Sequence, residues 1–194
     1  MKYEWKKEEK HLYMPKDKPE KITVPKYKYF VIKGQGTQYD EDFILRKEVL
    51  FRVSNTIKLM PKRGFYPGGY FEYSLYPLEI LWNGSEYEMM IRQPEFVTGS
   101  VARMAVTGVI STNPHPLINE VNFLSSGDCV GIQILHIGGR GTEEGSFEIL
   151  NKFADENGLE KSGRYREIYI NDPQKTTQEK LKRIIRIEIS EKLK

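Results

Sequence analysis

The order strand, glycine turn, helix, strand occurs twice in this chain, and few folds are open to a chain that repeats such a unit. Around Gly131 to Asp172 the segments VGIQILHIGGRG, TEEGSFEILNKFADENG and RYREIYIND follow one another. Earlier, YKYFVIKGQG runs into DEDFILRKEVLFRVSNTIKLM and on to GGYFEYSLYPLEILW. Duplication at this scale predicts two copies packed about a pseudo-two-fold axis. It also predicts a ligand in the seam where they meet, because concave sites collect at such joints.

Composition narrows the function classes. A chain of 194 residues, 39% hydrophobic and 12% aromatic, buries a core as one domain or two small ones. No apolar run approaches the roughly 20 residues of a membrane span, and MKYEWKKEEK is basic with no apolar segment behind it. Neither a span nor a signal peptide is expected, and the cytoplasm is the expected compartment. A single cysteine, Cys129, forms no internal disulfide, and His11, His115 and His136 are scattered, so neither a structural metal nor a cofactor is expected. The net charge of +3 arises from 30 basic and 27 acidic residues, a mixed surface rather than a nucleic-acid footprint.

Along the chain, the lysine-rich start reads as an arm laid over the surface, with Tyr3, Trp5, Leu12 and Tyr13 docking it, or as a nucleic-acid-binding arm. Tyr27 to Ile32 alternates as a strand ending at Gly34-Gln35-Gly36. Asp40, Glu41 and Asp42 then set negative charge at a helix start, where the macrodipole favours it. Leu45, Val49, Val53, Ile57 and Met60 share one face of that helix, which stops at Pro61-Lys62-Arg63-Gly64. A strand region spans Tyr70 to Trp82, at an edge or bulged near Pro77, since proline gives a ladder no N–H. Asn83-Gly84 predicts a hairpin returning through Tyr87 to Arg92.

Pro94 to Leu117 reads as a connector with a weak, short helix around Val101 to Gly108. Asn122 to Ser126 leads into the second copy, whose strand is Cys129 to Ile137. A helix follows from near Thr142, with Phe147, Leu150, Phe153 and Ala154 inward and Asn157-Gly158 capping it. Tyr165 to Ile170 is the next strand. Thr176 with Glu179 predicts a capping box for a short helix, and Ile185, Ile187 and Ile189 alternate as a last strand with a basic, solvated outer face.

The chemistry concentrates on the strand Tyr165 to Ile170. Alternation puts Ile168 and Ile170 on the face expected to meet the helices, leaving Tyr165, Glu167 and Tyr169 on the other. Those three either line a ligand wall or meet water as a half-exposed strand face. The first copy offers Phe71, Tyr73, Glu79 and Trp82. Aromatic walls with a carboxylate suit a flat, lipophilic, often cationic ligand, through ring area and cation–π attraction. Gly138-Gly139-Arg140-Gly141 reads as a plain turn, since it lacks the lysine of a nucleotide loop. Cys129 and His136 are out of phase, so Cys129 reads as core.

Taken in order, FVIKGQG, TIKLM, YPLEILW, MMIRQPEFVT, the run from ILHIGGRG to ADENG, and REIYINDPQKTTQEKLKRIIR resemble the stand-alone GyrI-like small-molecule-binding proteins of the SOUL/GyrI-like superfamily, over about residues 22 to 187. EIYINDP followed by TxxEKLK, and PLE-x-LW, are the most specific pieces. The resemblance implies an α+β fold of duplicated β-α-β-β units in pseudo-two-fold arrangement, with an antiparallel sheet, helices on one face and a central ligand cleft. It implies a basic arm over residues 1–21 and a domain over 22–194, with a first repeat over 27–93, a connector over 94–120 and a second repeat over 121–190. The implied activity is binding of a flat, lipophilic small molecule in an aromatic and acidic cleft, with hydrolysis of cyclopropane-bearing alkylating antibiotics as a detoxification chemistry. On the matching positions Glu167 and Glu79 become the catalytic acids and Tyr73, Trp82, Tyr165, Tyr169 and Phe71 the ligand wall. Alternatives are a non-enzymatic drug-binding, sequestering or effector module, and a tetrapyrrole binder. The implied partner is a small molecule, with no DNA-binding domain, no membrane and no signal for an oligomeric state. Where family members commonly carry Pro-Tyr after His-Ile-Gly, this chain has Gly139-Arg140, which brings positive charge to the rim.

Overall fold

The computed structural model of the chain describes residues 2–173 and 175–191. Met1 of the expected arm, Gln174 of the INDPQK motif and residues 192–194 of the expected domain lie outside the described residues. The chain runs through α1 (Trp5–Glu8), α2 (Lys10–Tyr13), β1 (Glu20–Val24), β2 (Lys28–Gln35), α3 (Glu41–Leu59), β3 (Leu78–Asn83), β4 (Glu86–Gln93) and α4 (Gly99–Thr112). It continues through β5 (Asn122–Ser125), β6 (Cys129–Ile137), α5 (Glu144–Glu156), β7 (Leu159–Tyr169) and β8 (Lys182–Glu191). The ladders between these strands are antiparallel and the class is α+β, as the sequence predicts. The order strand, helix, strand, strand occurs as β2-α3-β3-β4 and again as β6-α5-β7-β8. In each, the last strand returns along the first, β4 on β2 and β8 on β6.

Two compact units divide the chain. The first holds residues 27–78 and 84–126 with the start of the chain up to Glu4; the second holds residues 5–26, 79–83 and 127 onward. The first unit centres on β2, flanked by β4 and β5, with Lys28 opposite Gln93 on one side and Ser125 on the other. Helix α3 lies on this sheet because Val49, Leu50, Val53 and Ile57 fall on one stripe and are buried. A 3-10 turn over Met60–Arg63 follows it, and Gly64 ends that turn with a left-handed φ of 80°. The short helix expected in the connector is in fact 14 residues long. Thr98 caps it, its hydroxyl oxygen accepting from Val101 N at 3.3 Å, and burial of Ala102, Ala105 and Val109 outweighs the poor propensity of its β-branched turns.

Three sequence expectations shift. The strand over Tyr70 to Trp82 starts only at Leu78, directly after Pro77, and Tyr73 makes an isolated bridge with Tyr3 instead. Pro77 has no N–H to give a ladder, and the ladder begins at the residue after it. Strand β5 pairs with β2 of the first unit rather than leading the second copy, while β1, from the amino-terminal arm, pairs with β6 from Glu20–Gln133 to Val24–Cys129. Residue 121, the expected opening of the second repeat, borders a strand that joins the first half, and the expected boundary at residue 21/22 falls within β1, which joins the second. The expected capping box at Thr176 and Glu179 is a 3-10 turn over Gln178–Lys180, with Thr177 at its start making no side-chain bond.

The second unit has the strand order β1-β6-β8-β7-β3. One face of it carries Ile132, Ile134, Ile185 and Ile187, on which α5 lays Leu150 and Ala154. The arm crosses the opposite face, where Trp5 and Tyr13 meet edge to face with centroids 4.9 Å apart and Leu12 is buried. Arg186 and Gln133 hold it there by donating to the carbonyls of Leu12 and His11, at 2.8 and 3.1 Å. The basic strand expected to have a solvated outer face is thus an inner strand: β8 lies between β6 and β7, and Arg183 and Arg186 are buried. Charge alone could not reveal this, because both arginines find buried partners.

Candidate functional site

Strand register decides which side chains of the second unit share a face. Cross-strand partners point to the same side of a sheet. Tyr165, Glu167 and Tyr169 lie opposite Ile187, Ile185 and Arg183 of β8. Trp82 lies opposite Tyr165, and His136 opposite Arg183. All of these stand on the α5 face, where the Phe147 and Tyr165 rings meet at 4.9 Å. The sequence reading had put the helices on the Ile168 side. A period of two shows that a strand's faces differ, and both faces of β7 are covered, so the more apolar side could not be told from the helix side.

Glu167 is fully buried, and both of its oxygens are engaged. Oε2 accepts from the Tyr169 hydroxyl at 3.0 Å and Oε1 from Arg183 Nη1 at 3.1 Å. The same guanidinium nitrogen pairs with Glu143 Oε1 at 2.6 Å, while Nη2 donates to the carbonyls of Gly138 and Gly139 at 3.1 and 2.7 Å. The glycine turn is therefore a guanidinium-binding loop, its carbonyls pointing inward where a phosphate loop would point amides. A side chain at Gly139 would place Cβ 2.2 Å from Gln178 Oε1, and Gly138 has a φ of 149°. Burial would raise the Glu143 carboxyl, but the bond and charge of Arg183 outweigh it and hold the group below its ordinary value.

Burial, and then the charge of Glu167, push the Tyr165 hydroxyl up to about 12 and the Tyr169 hydroxyl well above the usual phenol range. Both tyrosines keep their protons at neutral pH and act as donors. Thr142 donates its one hydroxyl proton to Gly139 O at 2.7 Å, so it accepts from His136 Nε2 at 3.1 Å. The remaining nitrogen, Nδ1, accepts from the Ser146 hydroxyl at 2.9 Å. Burial and the nearby Arg183 hold His136 below its ordinary pKa, which suits this neutral tautomer. Arg140 lies over the Trp82 indole with its guanidinium carbon 3.7 Å from the ring centroid.

The residues expected to form one wall fall into three places. Trp82, Tyr165, Glu167 and Tyr169 share the α5 face. Glu79, opposite Ile168 in register, stands on the arm face, where its Oε2 accepts from Arg166 Nη1 at 2.7 Å. The two candidate carboxylates are therefore on opposite sides of one sheet. Phe71 and Tyr73 belong to the first unit, in a ring cluster with Phe96 at 5.4 and 5.9 Å. Burial and Tyr70 raise the Tyr73 hydroxyl, which has no hydrogen-bond partner among the described residues. Cys129, expected as core, is half-buried at the start of β6.

Sequence reading missed Arg183 and Glu143 as parts of the site and placed Arg140 at its rim. The signal was there for one: Arg183 is in phase with Ile185 and Ile187, and an arginine in step with buried isoleucines is an inward arginine. Among the described residues no cluster of three or more His, Cys, Asp or Glu could hold a metal ion, and no helix is long and apolar enough to cross a membrane.

No protein-family profile matches the chain, and no curated protein matches it. Solved structures do. A hydrolase from Listeria innocua is similar at 28% identity over 97% of this chain and all of its own, with a TM-score of 0.90. A second structure of a Listeria innocua hydrolase is similar at 27% identity over 98% of this chain and all of its own, with a TM-score of 0.92. The C-terminal domain of EcmrR shares the fold at 12% identity and a TM-score of 0.60, over 90% of this chain and 98% of that domain. The architecture is consistent with a GyrI-like fold.

Proposed function

We propose that the α5 face of the second unit binds a planar, lipophilic small molecule against Trp82, Tyr165 and Tyr169, and that Glu167 directs a water onto it in a hydrolytic ring opening. The substrate class is the cyclopropane-bearing alkylating antibiotics, detoxified by loss of the strained ring. The observation that carries this reading is the Glu167–Tyr169 pair, an acid and a phenol 3.0 Å apart on the sheet face that also carries Trp82. The likeness to Listeria hydrolases over nearly the whole of both chains supports it.

The chemistry balances without a co-reactant other than water. Water oxygen bonds to the cyclopropane methylene, the carbon–carbon bond to the ring breaks, and its electron pair passes into the conjugated carbonyl, which becomes a phenolate. Glu167 takes the water proton, and Tyr165, whose raised pKa keeps its own proton, donates a hydrogen bond to the phenolate. Ring strain drives the step, so modest acid–base help suffices. Glu167→Gln is expected to lower turnover about 100-fold or more with ligand affinity retained. Unchanged turnover removes Glu167 from the reaction.

A second reading, sequestration without turnover, is favoured by one feature: both Glu167 oxygens are already bonded and the side chain has no solvent exposure. A chain that binds the antibiotic stoichiometrically and releases it unchanged fits that reading and excludes the first.

A further inference from the structure

We infer that Arg140 is the specificity-determining residue of this site, a built-in cation that holds the aromatic seat on Trp82 and so selects planar aromatic ligands with a carboxylate or ketone oxygen against lipophilic cations. The inference rests on the ligand-binding reading above and names its substrate class.

A lipophilic cation recognised by an aromatic pocket needs an open ring face and an unneutralised carboxylate. This site offers neither. The Trp82 indole is 1% exposed, and the Arg140 guanidinium lies 3.7 Å from its centroid, where a ligand cation would lie. The two carboxylates, Glu143 and Glu167, are both paired with Arg183. Counted with Arg140, the cluster holds two cations and two anions. An incoming cation would meet the Arg140 guanidinium at the ring face and find both carboxylates already held by Arg183, so its own charge would stay unpaired in low dielectric, whereas an anionic or carbonyl oxygen meets a donor.

Arg140 also has something to give. Its Nη1 is buried and has no hydrogen-bond partner among the described residues. A buried donor left unmade is a standing cost that a ligand oxygen removes on binding. The guanidinium fork suits a carboxylate or carbonyl, which an ammonium would match less well. Arg140 sits between Gly139 and Gly141, the latter at a φ of 92°, so the loop carries the arginine on backbone whose conformation a side-chain-bearing residue would resist.

The test is calorimetric titration of the full chain with two compounds of one ring shape and opposite charge, 2-naphthoate and N,N,N-trimethyl-2-naphthylammonium. The wild-type chain is expected to bind naphthoate at least about tenfold more tightly. Arg140→Gln is expected to lose about tenfold for naphthoate and gain about tenfold for the ammonium, the size of one cation–π contact or one charge-assisted bond. Arg140→Lys, which keeps the charge without the fork, is expected to keep rejecting the ammonium while binding naphthoate less tightly than wild type. Equal preference in wild type and Arg140→Gln, or a wild-type preference for the ammonium, overturns the inference. In that case weakened binding of both compounds by Trp82→Phe leaves the ligand reading standing. If neither compound binds the wild-type chain, the ligand reading itself falls and this inference with it.

Discussion

Arg183 Nη1 lies 3.1 Å from Glu167 Oε1, and both side chains are fully withdrawn from solvent. Further groups hold the pair in place: Glu143, two glycine carbonyls and the Tyr169 hydroxyl bond to it, while Arg183 Nε makes no hydrogen bond among the described residues. Removing the cation strands two carboxylates in a dry interior. Arg183→Met is therefore expected to destabilise the chain by about 3–5 kcal/mol. Glu167→Gln, which leaves Arg183 with Glu143 and the carbonyls, should cost about 1–3 kcal/mol. Urea unfolding measures both, and a loss under about 1 kcal/mol for Arg183→Met would show that the network contributes little.

The same cluster sets a pH dependence. Glu143 is held below its ordinary pKa in the folded chain, so its contribution is present above the unfolded carboxylate value and is lost as pH falls through the folded one. His136 is also lowered, by burial first and then by Arg183. Its neutral form is the folded form, so the unfolded chain binds the proton first as pH drops through about 6.5. Stability should thus decline from neutral pH toward pH 5, with His136 acting before Glu143. In His136→Gln the drop in the urea midpoint between pH 7.5 and pH 5.5 should shrink. His115, lowered by burial and by Arg52, keeps part of the slope. An unaltered slope would mean that His136 titrates as it does in the unfolded chain.

Much of this architecture was legible before any coordinates. Cys129 to Ile137 is the strand the alternation marks, α3 and α5 start at the acidic turns that the sequence shows, and α5 ends at Asn157-Gly158. What stayed hidden was pairing between distant segments. Nothing local in EKITV says that it joins β6, nor in NFLS that it joins β2, since edge strands are assigned by register and not by composition. The site was half legible for the same reason. Tyr165, Glu167 and Tyr169 were read as one face correctly, yet Glu79 was grouped with them although one residue of register puts it on the other side. Arg183 was read as solvated charge and Arg140 only as a charge at the rim, because a buried arginine differs from an exposed one only in its partners, and those lie 16 residues away for Glu167 and on another element for Trp82.

Across the sheet from Glu167, Glu79 and Arg166 form their own ion pair, 2.7 Å apart with the carboxylate 1% exposed. Truncating one partner leaves the other charge buried. Glu79→Ala is expected to destabilise by about 3 kcal/mol, and adding Arg166→Met should recover part of that, as the guanidinium that lost this carboxylate is removed. A double-mutant cycle by urea unfolding reads the coupling. Strict additivity of the two changes would show that the pair does not act as a unit.

Two glycines of the second unit should respond to alanine with opposite signs. Gly131 lies in β6 opposite Glu188, and a Cβ built there would sit 2.8 Å from the Ile187 carbonyl oxygen. That oxygen is backbone in an inner strand and cannot rotate away, so the ladder itself must shift. Gly131→Ala is expected to cost about 1–3 kcal/mol, the range for forcing atoms into packed structure. Gly145 lies in the first turn of α5, where a Cβ would meet nothing within 4 Å. Alanine there removes unfolded-state freedom and clashes with nothing, so Gly145→Ala should stabilise by about 0.5–1 kcal/mol. Thermal melting of the two variants side by side separates a steric requirement at Gly131 from a general glycine effect. If both raise the melting temperature, β6 and β8 do not approach as closely at Gly131 as described.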